Sequence, residues 1–279
     1  MTIAADAHIH PLAVVEPGAT VGSGCRIGPF CQVGPNVVLG DNVELVSHVS
    51  VSGVTTIGAN CKVFPQAVLG MPPQNNKHKG GPTKLTVGTN CTIREGVTMH
   101  CGSDSSLGET IVGNNCNLLA YVHIAHDCVI GNNVTMANLA TLGGHVVVGD
   151  FANIGGMSAV HQMTRVGHHA FIGGMTGVFA DLIPYGMAVG DRAGLRGLNI
   201  IGMKRSGLSR PEIHALRNAF KMIFDSAAPM RENLDAAAAE YADFATVRDV
   251  VEFMSHRGKR AYLTPRHGRA VADDDHDDE

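Results

Sequence analysis

The chain has 279 residues and a formal net charge of −4 without a long basic run, which argues against nucleic acid as its main partner. Hydrophobic residues make up 44 % of the chain and charged residues 16 %, proportions that indicate a globular protein with a sizeable core. The sequence contains neither a secretory leader nor a run of about 18 apolar residues, so we expect a cytosolic protein without a membrane span.

An aliphatic residue at every sixth position is the main pattern of the sequence. A period of six fits neither a helix nor a two-faced strand; it is typical of a parallel β-helix, in which each hexad forms one short strand and a corner. Three hexads close one coil of about 18 residues, and about nine regular coils are expected. The predicted inward positions are Ile3, Ile9, Val15, Val21, Ile27, Val33, Leu39, Leu45, Val51, Ile57, Val63, Leu69, Val87, Ile93, Met99, Val112, Leu118, Ile124, Ile130, Met136, Leu142, Val148, Ile154, Val160, Val166, Ile172 and Val178.

Two segments interrupt the pattern and are predicted to be loops that project from the β-helix. Residues 71–84 (MPPQNNKHKGGPTK) are rich in Pro, Gly, Asn and Lys, and residues 101–109 (CGSDSSLGE) are rich in Ser and Gly. Each loop is either a tolerated insertion or a functional element. Because long loops on a rigid scaffold commonly carry binding residues, we predict a binding function for the first loop.

A helical region follows the repeat. Ser209 and Glu212 form a capping-box motif, with Ser as N-cap and Glu at the N3 position, which predicts a helix that ends at Pro229. Apolar spacing predicts two further helices, over residues 230–242 and 246–256.

The hexad pattern itself ends after Val178, because Pro184 takes the next six-residue position. Residues 183–206 are therefore expected to form a last irregular coil and an exit from the β-helix. The predicted organisation is a β-helix over residues 1–206, a helical domain over residues 207–258, and a disordered acidic tail over residues 259–279.

Six of the seven cysteines follow an inward aliphatic residue by four positions, where Ala, Val and Thr also recur. They are predicted to be small buried residues, and disulfide bonds are not expected in a reducing compartment. No cysteine pair has the spacing typical of a zinc site. The six are Cys25, Cys31, Cys61, Cys91, Cys116 and Cys128.

Histidines cluster in the hexads that follow residue 120. Residues about 18 positions apart stack in neighbouring coils, so His126, Gly144 and Gln162 are expected to form one row at a corner. Neighbours in such a stack are roughly 5 Å apart, which brings several polar groups around one point. Beside the row lie Asp127, His145, His161 and His123.

An imidazole next to a carboxylate and a backbone N–H contains the parts of a base catalyst. With an ordinary pKa of about 6.5, imidazole can remove a proton from a hydroxyl at neutral pH when a carboxylate fixes its tautomer. A Gly N–H can stabilise a developing oxyanion. His126, Asp127 and Gly144 supply these parts, although any one of these corner histidines alone would be read as a surface residue.

Several motifs then carry a family resemblance. They are IGPFCQVGP at residues 27–35, HIAHDC at 123–128, GGH at 143–145, GGMSAVHQ at 155–162 and NIIGMKR at 199–205. From about residue 3 to 256 the sequence closely resembles the UDP-N-acetylglucosamine O-acyltransferases of lipid A biosynthesis. The resemblance implies a left-handed parallel β-helix, a homotrimer with active sites between subunits, and a C-terminal helical domain.

The resemblance also implies roles for individual residues. His126 would take the proton from the sugar 3-hydroxyl, Asp127 would orient it, and the Gly144 N–H would stabilise the oxyanion. The implied donor is acyl carrier protein carrying a (R)-3-hydroxyacyl chain, and the implied acceptor is UDP-N-acetylglucosamine; no metal, cofactor or covalent intermediate is needed. The implied substrate-binding residues are His123, His145, His161 and Gln162 for the nucleotide sugar and the acyl chain, Gln74 and Lys77 for the sugar or acyl chain, and Asn199 and Arg205 for the UDP portion.

Three positions depart from the family pattern, and a fourth indicates acyl length. Asn75 stands where better-known members have Asp, which could alter the contact with the acceptor position of the sugar. Ile201 stands where those members have Glu, and Ser206 stands where they often have a second Arg; both changes could alter nucleotide contacts. Gly174 occupies the position that the family uses to limit the acyl pocket, and Gly there resembles the long-chain form.

Four alternatives remain at this point. The enzyme could form an amide on a 3-amino analogue of the UDP-sugar. A sister enzyme N-acylates a glucosamine on the same scaffold, but it carries an extra N-terminal domain for which hexads from Ile3 leave no room. A metal hydratase similar to the γ-class carbonic anhydrases could recruit His123, His126 and His145. A non-catalytic binding solenoid would predict a regular outward ladder instead of one histidine cluster.

Overall fold

The computed structural model describes residues 2–265, which form a three-sided parallel β-helix followed by four α-helices. Successive hexads contribute strands to three sheets in turn, so a strand pairs with the strand one coil later. Thr135 pairs with Asn153 and Ile124 with Leu142 in this way. The predicted coil of three hexads is confirmed.

We call the three sheets A, B and C. Sheet A contains Thr2–Ile3, Thr20–Val21, Val37–Leu39, Val54–Ile57, Lys84–Val87, Glu109–Val112, Val129–Ile130, Val147–Val148 and Arg165–Val166. Sheet B contains His8–Ile9, Arg26–Ile27, Glu44–Leu45, Lys62–Val63, Thr92–Ile93, Asn117–Leu118, Thr135–Met136, Asn153–Ile154, Phe171–Ile172, Gly186–Val189 and Gly194–Leu198. Sheet C contains Val14–Val15, Gln32–Val33, Ser50–Val51, Val68–Met71, Thr98–His100, His123–Ile124, Thr141–Leu142, Ala159–Val160 and Gly177–Val178.

Three edges join the sheets, and each is named by the two sheets that it connects. The chain turns there within three residues, and the third of them often has a positive φ, as at Asp127 (59°) and His145 (63°). Asp and His tolerate this left-handed conformation better than most residues. In the later coils, edge AB contains residues 131–133, 149–151 and 167–169; edge BC contains 137–139, 155–157 and 173–175; and edge CA contains 125–127, 143–145 and 161–163.

The hydrophobic core is the column of aliphatic side chains inside the β-helix. Every predicted inward residue from Val21 to Val178 is at most 2 % exposed. Ile3, Ile9 and Val15, in the first described coil, are only partly buried. All seven cysteines are free thiols and buried, as predicted for the six in the hexads. Since burying one such aliphatic side chain contributes about 1.5–3 kcal/mol, the stacked coils stabilise one another along the axis.

The exit from the β-helix is more regular than predicted. Residues 186–198 form an antiparallel hairpin at the end of sheet B, and residues 200–205 form a short helix, although residues 183–206 were expected to be irregular. The hairpin gives little signal because four of its residues are Gly, which is depleted in strands.

Four helices follow: α1 (Ile200–Arg205), α2 (Arg210–Ile223), α3 (Met230–Glu240) and α4 (Ala245–Ser255). Ser209 is the N-cap of α2, as predicted, and its hydroxyl accepts from the Glu212 N–H. The second half of the capping box is wrong, because the Glu212 carboxylate accepts from the Thr246 hydroxyl and N–H instead. The end of α2 is also wrong: the helix ends at Ile223, well before Pro229.

The segment after α4 was predicted to begin a disordered tail at residue 259, and this is wrong for residues 259–265. Asp181 donates its N–H to Ala261 O and accepts from the Leu263 N–H, so the segment lies against the last coil. The acidic end, residues 266–279, lies outside the described residues. Within residues 2–265, none of the helices has the length and apolar character needed to cross a membrane.

Candidate active site

The row of residues predicted from the coil spacing is present at edge CA. Strand register stacks Ile124, Leu142 and Val160, which brings His126, Gly144 and Gln162 into line two residues later. The His126 and His145 rings meet edge to face with their centroids 5.0 Å apart.

His126 and Asp127 form the central pair of the site. His126 Nδ1 lies 2.7 Å from Asp127 Oδ2, and Asp127 is buried, with 3 % of the residue exposed. An ionised carboxylate can only accept hydrogen bonds, so the imidazole proton belongs on Nδ1 in this pair. The lone pair of Nε2 is then available to accept a proton from a substrate, as general-base catalysis requires.

The second loop holds the Asp127 carboxylate. The Ser103 N–H donates to both carboxylate oxygens at 3.1 and 3.2 Å, and the Gly108 N–H donates to Oδ1 at 3.0 Å. The Asp127 N–H in turn donates to Thr110 Oγ1 at 2.9 Å. Sequence reasoning favoured function in the first loop and missed this role, because backbone amides leave no side-chain signal.

The first loop is fastened to the second. Asn75 Nδ2 donates to Ser103 Oγ at 3.3 Å, and His78 Nδ1 lies 3.1 Å from Asp104 Oδ1. Asp104 also accepts from the Lys79 and Gly81 N–H groups, and these backbone donors are the main cause that lowers its carboxyl pKa. Both loops therefore form one wall beside edge CA. Gln74 and Lys77 lie exposed on that wall.

Two further predicted histidines surround the central pair. His123 Nδ1 lies 2.7 Å from Thr98 Oγ1, and burial lowers the pKa of His123. His145 Nδ1 lies 3.2 Å from Ser106 Oγ and 3.9 Å from Asp127 Oδ2, and burial again lowers the pKa of His145. Both rings are therefore favoured in the neutral form, which can donate or accept a hydrogen bond.

His100 belongs to the same cluster but was not predicted. Its ring centroid lies 5.2 Å from that of His123, and burial lowers its pKa, with His123 and His126 acting in the same direction. Its buried Nδ1 has no hydrogen-bond partner among residues 2–265. The available signal was its position one residue after inward Met99 in sheet C.

The His126 ring lies directly against the backbone of Gly144. A Cβ atom added there would lie 2.7 Å from His126 Cε1 and 2.8 Å from Nε2, closer than real Cβ contacts. Within the described part of the chain, no acceptor is recorded for the Gly144 N–H. Only a glycine lets the imidazole stand against this backbone.

The remaining predicted residues lie elsewhere on the β-helix. Gly174 is exposed at edge BC. Asn199, the N-cap of α1, lies against edge AB: its Oδ1 accepts from the Gly202 N–H, and its Nδ2 donates to His169 O, each at 3.0 Å. Arg205 is exposed at the end of α1. One chain thus places the predicted site residues on three different edges.

The described residues also contain one group that could hold a metal ion. The group comprises His126, Asp127 and His145, whose ligand atoms lie within 4.8 Å of one another. It contains Asp127 in place of His123 from the set of three histidines considered for a hydratase, and His123 Nδ1 lies 2.7 Å from Thr98 Oγ1. The 2.7 Å separation of His126 Nδ1 and Asp127 Oδ2 is that of a hydrogen bond.

Two family models match the chain. The model described as bacterial transferase hexapeptide (six repeats) matches residues 1–35, 18–53 and 109–144. The model described as Udp N-acetylglucosamine O-acyltransferase; Domain 2 matches residues 181–262. The first covers β-helical hexads, and the second covers the exit, the helices and the returning segment.

Similar proteins match over most of their length. An acyl-[acyl-carrier-protein]--UDP-N-acetylglucosamine O-acyltransferase of Mesorhizobium japonicum is 57 % identical over 279 residues, which is 100 % of both chains. A protein of the same name from Brucella ovis is 55 % identical over 276 residues, 98 % of this chain and 99 % of that one. The crystal structure of Francisella novicida UDP-N-acetylglucosamine acyltransferase superposes with a TM-score of 0.89 at 35 % identity, covering 93 % of this chain and 95 % of that chain. The predicted left-handed parallel β-helix with C-terminal helices is confirmed.

Proposed function

Because this chain belongs to the UDP-N-acetylglucosamine O-acyltransferase family, we propose that it transfers an acyl chain from acyl carrier protein to UDP-N-acetylglucosamine, the first step of lipid A biosynthesis. More specifically, we propose that a (R)-3-hydroxyacyl chain is transferred to the sugar 3-hydroxyl with His126 as general base. The observation that carries the role of His126 is its 2.7 Å contact with the buried Asp127 carboxylate, which leaves Nε2 as an acceptor.

The proposed reaction follows from the chemistry of this pair. His126 Nε2 takes the proton of the sugar hydroxyl while the oxygen attacks the thioester carbon of the acyl carrier protein. Asp127 stabilises the resulting imidazolium, and the Gly144 N–H donates to the oxyanion of the tetrahedral intermediate. Collapse of this intermediate breaks the carbon–sulfur bond, and the imidazolium returns its proton to the departing thiolate. No metal or cofactor takes part in these steps.

We further propose that the site is completed by a second copy of the chain in a homotrimer. Support comes from the location of the predicted residues on different edges, since His126 lies at edge CA, Gly174 at edge BC and Asn199 against edge AB. Symmetric packing would let edge CA of one copy face the other edges of its neighbour. The cytosolic location inferred from the sequence stays a prediction.

The transfer itself is tested with purified protein, (R)-3-hydroxyacyl carrier protein and UDP-N-acetylglucosamine, with products identified by mass. A UDP-sugar carrying one acyl chain that mild alkali removes is expected, because an ester is labile and an amide is not. No acylated sugar with any chain length would contradict the proposed function. Metal analysis of the same sample separates it from the hydratase alternative, which requires a bound metal for turnover.

Replacing Gly174 by Met should shift the preference between acyl chains. A Cβ at Gly174 would have only Gly156 O nearby, at 3.3 Å, and φ lies outside the left-handed region, so the variant should fold. We propose that the missing side chain leaves room for several methylenes, each contributing about 0.8 kcal/mol when buried. Gly174→Met should change the ratio of kcat/KM for long and short chains by about tenfold or more towards the short chain.

Gly174→Ala, with a much smaller side chain, serves as the matched variant and should shift the ratio less. A Gly174→Met protein that unfolds at the wild-type temperature and keeps its chain preference would place the end of the acyl pocket elsewhere.

Asn75→Asp tests the acceptor atom. Asn75 Oδ1 accepts from the Lys77 N–H at 2.9 Å and Nδ2 donates to Ser103 Oγ; a carboxylate can accept from both groups, so the loop should stay in place. We propose the 3-hydroxyl of the sugar as acceptor. The alternative acceptor is the amino group of a 3-amino analogue, which the presence of Asn in place of Asp at position 75 favours. In a competition between the two UDP-sugars, the wild type should acylate the hydroxyl.

The opposite outcome is also informative. Turnover of the 3-amino sugar alone would overturn the hydroxyl as acceptor, and a return of hydroxyl preference in Asn75→Asp would assign the cause to this side chain.

A further inference from the structure

The segment after α4 returns to the last regular coil and is held there by a buried ion pair. Arg165 Nε lies 2.7 Å from Asp181 Oδ2, and Asp181 is fully buried. Arg165 Nη1 donates to His256 O, and the guanidinium carbon lies 4.2 Å from the centre of the Phe253 ring. A Cβ on Gly258 would lie 2.6 Å from both Arg165 Nε and Asp181 Oδ2, so the backbone passes directly over the pair.

This docking brings two cations to edge CA. Arg260 Nη2 lies 2.8 Å from His161 Nδ1, and Arg260 Nε donates to Gln162 O at 3.1 Å. Lys259 is close enough for its charge to add to the lowering of the His145 pKa, although burial is the larger cause. The segment therefore contacts the histidine cluster directly at His161.

The contact with Arg260 selects one tautomer of His161. A guanidinium has only donors, so His161 Nδ1 must accept, and the proton of the neutral ring lies on Nε2. The same Nδ1 lies 3.2 Å from Gln162 O, but two acceptors cannot bond to each other, and Arg260 satisfies that carbonyl itself. The ring is further confined by Phe179, whose centroid lies 5.7 Å from that of His161.

We propose that Arg260 is a positioning residue of the active site, which holds His161 as a neutral donor with its Nε2–H directed to an acceptor oxygen of the nucleotide sugar. This rests on the proposed function and on the substrate-binding role that the family resemblance implies for His161. The fork of the guanidinium is suited to this task because it engages a ring nitrogen and the next carbonyl at once. The C-terminal segment is then part of the active site.

Arg260→Met should raise the KM for UDP-N-acetylglucosamine by about tenfold and change kcat less, because the bound sugar loses a correctly oriented donor. Arg257→Met is the matched control on the same segment and should leave both constants unchanged, since Arg257 is exposed. In the His161→Ala background, Arg260→Met should have almost no further effect, because both changes remove one interaction.

Two kinetic results would overturn the proposal. One is an Arg260→Met protein that behaves like Arg257→Met, and the other is an effect of Arg260→Met that persists in full when His161 is Ala. Thermal unfolding of each variant shows whether a loss of activity comes from a destabilised fold.

A spectroscopic measurement tests the same contact without catalysis. Magic-angle-spinning NMR of protein labelled with 15N only in histidine distinguishes the two tautomers, and His161→Ala identifies the signal. The wild type should show His161 protonated on Nε2, and Arg260→Met should show a mixture. A protonated Nδ1 in the wild type would refute the proposal, whereas an enzyme that has this tautomer but transfers no acyl chain would refute only the proposed function.

Discussion

Replacing His126 by Ala should lower kcat by about a thousandfold or more, because general-base catalysis by a positioned imidazole typically contributes 10²–10⁴-fold. His126 is the one ring of the cluster that contacts the buried Asp127 carboxylate at 2.7 Å among the described residues. Without this imidazole, water must accept the proton of the sugar hydroxyl. Initial rates of acyl transfer at saturating donor and acceptor measure the loss.

The fold should survive this change, since His126 lies at a corner and not in the aliphatic column. His126→Asn is the second variant, and thermal unfolding checks both. His8→Ala, at an exposed position of sheet B, is the control and should retain full activity. A folded His126→Ala protein with activity within tenfold of the wild type would remove His126 from the role of base.

Gly144→Ala should lower kcat by about a hundredfold, because a displacement of about 1 Å at a reacting group can cost that much. The added methyl group would lie 2.7 Å from His126 Cε1, so the ring must move away from its place over Gly144. The backbone itself tolerates Ala, since the φ of Gly144 lies outside the left-handed region. The loss should be seen in kcat more than in KM.

Gly34→Ala provides the comparison for this variant. Gly34 also follows a strand of sheet C, and a Cβ there would meet only ordinary contacts at 3.4 Å from Ser52 and Val51. We expect it to keep wild-type activity. If Gly144→Ala is folded and equally active, the imidazole is not held against this backbone during the reaction.

Most of the β-helix could be predicted because one physical rule determines it. Inward positions such as Leu118 and Met136 must be aliphatic in every coil, so the pattern repeats and can be read without any tertiary information. The same arithmetic placed His126 and Gly144 in one row, since the register between coils is fixed by the hexads.

The parts that depend on single tertiary contacts could not be predicted. Ser103 and Gly108 hold Asp127 through backbone amides, which any residue possesses. Arg260 reaches His161 only because residues some 100 positions apart meet at edge CA. The sequence around Arg260 had been predicted to begin a disordered tail. The capping-box motif predicted the Ser209 N–H as the local partner of the Glu212 carboxylate. In the structure, the carboxylate accepts from Thr246 on α4 instead.

The proposed homotrimer requires a site shared between copies of the chain, with the base from one copy and the nucleotide-binding residues from another. Co-expression of His126→Ala and Arg205→Glu chains tests this, because mixed trimers would contain some sites with both residues intact. Each variant alone should be nearly inactive, and randomly mixed trimers should recover roughly a quarter of the wild-type rate. Mixed trimers with no more activity than the two separate variants would contradict the shared site.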